Sequence, residues 1–214
     1  MRAHSEATMP SLIWLIILIT IIIASRLFLK EVGRKALAKV PQTAKLIKTE
    51  SPNWQNRALI DNQTSPLKFR GFEDVGSYQV ATMPGVLLKI LFHQATNVAA
   101  HVYEHPKAGT WTEIATRYSD GRSATISDLP DTGVSAPPWV KTSRVVRGTP
   151  TDQMFAQHTS ERDKNGIKTL APADTVREFE DVYARYMQWK QGTGISAEEV
   201  ARVAKLKKQQ GAGS

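Results

Sequence analysis

The feature that most constrains this chain is a run near its N-terminus, Leu12 to Ala24, which reads LIWLIILITIIIA and carries no charge. A helix apolar on every face needs either lipid or a large core around it. Extended over residues 9–29, about 21 residues at ~1.5 Å each reach roughly 31 Å, the hydrocarbon thickness of a bilayer. The run therefore predicts a single transmembrane helix over residues 9–29 behind a short tail over residues 1–8. Trp14 falls near one interface, and Arg26 near the other, where its stem can reach the headgroups. The competing reading is a cleaved signal peptide. It is disfavoured by the flanks: MRAHSEATMP offers one Arg against one Glu, and the Ala24-Ser25 junction has Ile where a small residue is wanted.

Charge is distributed to match. Residues 1–50 hold eight Lys or Arg and three Asp or Glu, whereas residues 51–214 hold twenty and seventeen, so most of the formal charge of +8 lies beside the apolar run. An excess in that place suits anionic lipid, at roughly 1 kcal/mol per well-placed cation. Arg26, Lys30, Arg34, Lys35 and Lys39 are the expected headgroup contacts. A nucleic-acid binder would carry its excess on the folded domain, and none is expected as a partner. The cations after the run outnumber the single Arg2 before it, which by the positive-inside rule predicts a cytoplasmic C-terminal domain.

Residues 30–66 read as a basic juxtamembrane helix, ended by Pro41, and then a tether rich in Pro and small polar residues. Residues 67–209 read as one α+β domain. Short runs such as GSYQVATM, VLLKILFH, NVAAHVYEH, WTEIATRY and RSATIS are bounded by Gly, Pro or Asn, and Asp120-Gly121 is a hairpin signal. They predict an antiparallel meander of four or five strands packed against C-terminal helices. Residues 128–149 read as a long connection. Helices follow over about 151–162 and from Pro172 to Gly192, the second with an apolar stripe through Val176, Phe179 and Tyr183. Ser196 and Glu199 form a capping box for a last short helix. Residues 210–214 read as a disordered tail.

The chain has no Cys, which removes disulfides, thiol nucleophiles and Cys-ligated metals together. One pattern could carry chemistry: His101-Val102-Tyr103-Glu104-His105 fits H-x-x-E-H, the inverted zinc-protease signature, and resembles that family in these residues alone. On a helix, His101 and His105 would share a face and a Zn²⁺, with Glu104 as general base. The local residues favour a strand instead, where the two His stand about 13 Å apart. They are then expected to be polar residues on a solvated strand face. His158 is expected to be exposed. No nucleophile elbow, phosphate loop or dinucleotide fingerprint occurs, so no cofactor is expected. The reading is a single-pass membrane protein with a non-catalytic α+β interaction or scaffold domain that binds a protein partner. A membrane-anchored zinc metalloprotease and a secreted or periplasmic binding domain are the alternatives.

Overall fold

The computed structural model describes Ser25 and residues 27–211. The expected transmembrane span falls outside these residues apart from Ser25 and residues 27–29, which are helical; so do Arg26 and the end of the expected tail, residues 212–214. Among the described residues no helix is long and apolar enough to cross a membrane. The fold is α+β, with a seven-stranded mixed sheet.

Two compact units divide the chain. The smaller gathers a helix over residues 27–37 (α1), Thr132–Ser135 and the chain from Gln191. Its last helix, α5 (Ala197–Gly211), starts at the capping box: Glu199 N–H donates to Ser196 Oγ at 3.2 Å, and Glu199 Oε2 accepts from Ser196 N–H at 2.8 Å. Glu199 Oε1 also accepts from Ser135 N–H at 2.6 Å, so one carboxylate secures both the helix start and the Thr132–Ser135 segment. Gly33 has no room for a side chain, because a Cβ there would lie 2.9 Å from Ile195 Cβ.

The larger unit holds the sheet. Its strands are β1 (Leu46–Lys48), β2 (Glu73–Val80), β3 (Leu87–His93), β4 (Val98–His105), β5 (Gly109–Arg117), β6 (Ser123–Ser127) and β7 (Val140–Arg144), arranged in sequence order. The central hairpins follow the turn chemistry: Gly121, with φ of +85°, closes β5 onto β6 at the Asp-Gly dipeptide. β1 to β6 form an antiparallel meander. Three expectations are corrected. β7 lies inside the expected 128–149 connection and pairs with β6 in parallel, which the long crossover before it makes possible. The expected tether contains β1 and a helix, α2 (Arg57–Phe69), so the folded unit starts well before residue 67. The end of α5 occupies residues 210 and 211, where a disordered tail is expected.

Helices also lie on both sides of the sheet, not one. Period-two alternation sends Leu91, Val98, Ala100, Val102, Ile114 and Ile126 to one face, where Ile60 and Leu67 of α2 and Met154 of α3 (Thr151–Glu161) close the core. Ile60, Thr64 and Leu67 recur at four- and three-residue spacing, which is why α2 presents one buried stripe despite a polar composition. The opposite face carries Leu88 and Ile90, met by Val176, Phe179 and Tyr183 of α4 (Thr175–Thr193).

Candidate functional site

β4 decides the fate of the H-x-x-E-H residues. The expected solvated face is corrected, because His101 is 2% exposed and Glu104 4%. Three residues apart, an odd spacing along the strand, they lie on opposite sides of the sheet. Glu104 faces α2, where its Oε2 accepts from Gln55 N–H at 2.6 Å and its Oε1 from Asn56 N–H at 3.0 Å. Asn56 is itself the N-cap of α2, accepting from Leu59 N–H at 3.0 Å, so a buried carboxylate serves free amides at a positive helix end. His105 uses Nδ1 to accept from the N–H of Lys107 and Ala108 at 3.0 and 3.1 Å, which places its proton on Nε2 and tightens the β4–β5 turn.

His101 faces α4, its ring 5.2 Å from that of Phe179, and its buried Nδ1 has no hydrogen-bond partner among the described residues. Burial, reinforced by the Arg117 charge, pushes its pKa down to about 3, so the ring is neutral. The three residues thus cap a helix, fix a turn and fill a core. Among the described residues no group of three or more His, Asp or Glu is placed to hold a metal ion.

His158 also departs from expectation, being buried at the α3 face with Nε2 2.8 Å from Thr116 Oγ1. Arg162 Nη1 donates to the same hydroxyl at 2.7 Å, leaving the Thr116 proton for His158. Burial, then Arg162 and Arg117, lower the His158 pKa to about 4.

A cavity among the described residues lies where β5 ends. It encloses about 260 Å³ and is lined by Arg117, Ser119, Arg122, Lys168, Glu178 and Arg185, together with Tyr118 and Gly121. Three segments build it. The β5–β6 hairpin supplies Arg117 to Arg122. The Gly166–Lys168 strand-like segment runs beside it, with Ser119 N–H donating to Gly166 O at 2.8 Å and Lys168 N–H to Arg117 O at 2.9 Å. α4 contributes Glu178 and Arg185, two turns apart and so on one side of the helix. Glycine suits the hairpin: its φ of +85° is one that side chains rarely adopt, and a Cβ at Gly121 would lie 2.8 Å from Arg185 Nη1, so the guanidinium would have to shift.

The charges in this cleft are unequally matched. Lys168 Nζ lies 2.5 Å from Glu178 Oε2. Arg122 Nε lies 2.6 Å from Asp120, and its Nη2 lies 3.5 Å from Asp163. Arg185 donates to the Gly121 carbonyl and stacks 5.3 Å above Trp139, with no carboxylate within 4 Å among the described residues. The Arg117 side chain has neither a hydrogen bond nor an ion pair among them. Burial pushes its guanidinium pKa down, while Glu113 and Glu178 act through space to restore it. Burial raises the carboxyl of Glu113, the cross-strand neighbour of His101, against the pull of Arg117 and Arg144. On the same side of the sheet, Ser123 Oγ, opposite Arg117, is buried without a partner.

Such a site suits the binding of an anion by charge and directed donors. Its lining holds no His, and its one carboxylate, Glu178, lies against Lys168. These cations are spread from residue 117 to residue 185, and no motif links them; the only sequence signal at the site is the Asp120-Gly121 turn. Comparison of the chain with protein-family models, with curated proteins and with solved structures finds no match.

Proposed function

We propose that this is a single-pass membrane protein whose α+β domain is a non-catalytic binding module, held at the cytoplasmic surface. The carrying observation is the apolar run Leu12–Ala24 leading into a basic helix whose start leaves Leu27 and Phe28 63% and 69% exposed. Phe28 and Val32, four residues apart and both exposed, make an apolar edge, while Lys30, Arg34, Lys35 and Lys39 are all solvent-facing. Apolar and cationic groups together on one exposed helix suit a bilayer interface with anionic headgroups. Arg34 Nη2 lies 2.7 Å and Lys35 Nζ 3.8 Å from the Glu31 carboxylate, which leaves Lys30 and Lys39 the stronger headgroup contacts. The binding function is supported by the uncommitted guanidinium groups in the cleft. The strand geometry of His101, Glu104 and His105 gives the zinc protease reading no support.

Extraction of membranes with alkaline carbonate tests the anchor. The full-length protein should remain in the pellet, because insertion of about 21 apolar residues is effectively irreversible. Release of intact chain would overturn the anchor, and release of a chain starting near Arg26 would establish the cleaved, exported form. External protease should leave the domain intact in whole cells; its digestion would reverse the orientation.

A further inference from the structure

We infer that the cleft at the end of β5 binds a phosphate monoester or inorganic phosphate, gripped between Arg117 and Arg185. This rests on the reading of the domain as a binding module, and not on its anchoring.

Four cations line the cleft, and two of them, Lys168 and Arg122, already have carboxylates. The Arg117 guanidinium carries five donors that no described residue accepts, in a position partly withdrawn from water. A charge so placed is costly unless an anion or strong acceptors meet it. Arg185 is held in orientation by Gly121 O and by the Trp139 ring, yet most of its donors are free as well. Ser119 adds a hydroxyl at the rim.

The chemistry of the ligand follows from charge and shape. Two unpaired guanidiniums match a dianion, and a phosphate monoester carries about −1.5 to −2 near pH 7. A carboxylate offers two coplanar oxygens and is satisfied by a single guanidinium fork. The oxygens of a phosphate point in several directions and can accept from two forks and a hydroxyl together. The volume of about 260 Å³ lies just below the range of roughly 300–1,000 Å³ typical of sites for drug-sized ligands, so it suits a headgroup or a small ester. A free phosphate compound and a monoester lipid headgroup share this chemistry.

The test uses the full chain, in phosphatidylcholine nanodiscs or free in solution should carbonate release it, titrated calorimetrically with inorganic phosphate and with phenyl phosphate. Acetate at matched ionic strength is the comparison anion. Saturable phosphate binding should weaken at least tenfold in Arg185→Gln, whose exposed position makes loss of folding avoidable. Arg117→Lys, which keeps the charge and loses the fork, should weaken it similarly. Arg177→Gln, on α4 and paired with Asp174, should leave it unchanged. Nanodiscs containing phosphatidate separate the two sources: loss of phosphate binding there identifies the lipid headgroup, and equal binding identifies the free compound. Acetate binding that depends on the same two arginines would overturn the phosphate assignment and keep the cleft as a binding site. Phosphate binding unchanged in both variants would overturn the location, and no response to any anion would overturn the binding reading as well.

Discussion

The two faces of the sheet solve the problem of buried polar groups in opposite ways. Under α2 and α3, most conspicuous polar groups have an internal partner: Glu104 takes two backbone amides, Thr112 Oγ1 reaches Gln63 at 3.1 Å, and Lys89 Nζ lies 2.7 Å from Asp74, while Arg162 Nε at the end of α3 is buried without one among the described residues. Under α4, His101 Nδ1 and Ser123 Oγ are buried without partners, and Arg117 faces a cleft without a counter-ion, among the described residues. Hydrogen bonding within the protein stabilises a face, whereas unused donors and acceptors cost stability unless something else meets them. The first face is built to be closed. The second carries unmet polar groups toward its cleft end, whereas the H-x-x-E-H residues are taken up by a helix cap, a turn and the core.

The largest effect should come from the apolar core of the closed face. Met154 is fully buried among Leu91, Val102 and Ile126, and Met154→Ala should cost about 2–5 kcal/mol in chemical denaturation. A cost below about 1 kcal/mol would mean that α3 is loosely seated there. Glu104→Ala leaves the amides of Gln55 and Asn56 without their acceptor and should cost about 3 kcal/mol, while Glu104→Gln, able to accept one of them, should cost less. Equal losses in the two variants would show that the charge at the α2 N-terminus matters more than the hydrogen-bond count.

Acidification sharpens the contrast from the other side. With a pKa near 3 in the folded chain against 6.5 otherwise, His101 is protonated more readily on unfolding, so the unfolded state binds more protons between those values. Stability is then full above about pH 6.5 and falls as the pH drops toward 3, by about 2 kcal/mol between pH 7 and pH 5 from this group. Charged neighbours enter the same balance: Arg117 opposes protonation, and Glu113 faces the ring across the strand pair. His158 contributes in the same direction between 6.5 and about 4. His101→Phe keeps the aromatic packing against Phe179 and removes a titrating group, so its melting temperature should depend less on pH below 6.5 than that of the parent. An unaltered pH slope would assign the loss to other groups. The smallest effect is expected at the hairpin, where His105→Ala removes a turn acceptor and should cost about 1 kcal/mol.

Much of the architecture is legible in local sequence. The strands β2 to β6 announce themselves by alternation and turn residues, and Asp120-Gly121 marks its hairpin because glycine takes the positive φ there without strain. α3, α4 and the Ser196 cap are equally local. β1 and β7 are not, since Leu-Ile-Lys and Val-Lys-Thr-Ser-Arg become strands only by adding to an edge already present. α2 hides because Pro66 lies inside it and its buried stripe is short.

What the sequence determines by itself is whatever depends on neighbours within a few residues: the apolar run and its basic flank, the hairpin turn, the helix stripes and the strand conformation that separates His101 from His105. The tertiary structure decided which side of the sheet each helix covers, and so turned His101, Glu104 and His158 from expected surface groups into buried ones. It also decided which cations would be paired. Arg117, Lys168 and Arg185 meet only because a hairpin, a returning segment and α4 converge, and alternation along a strand says which residues share a face without saying what will cover it.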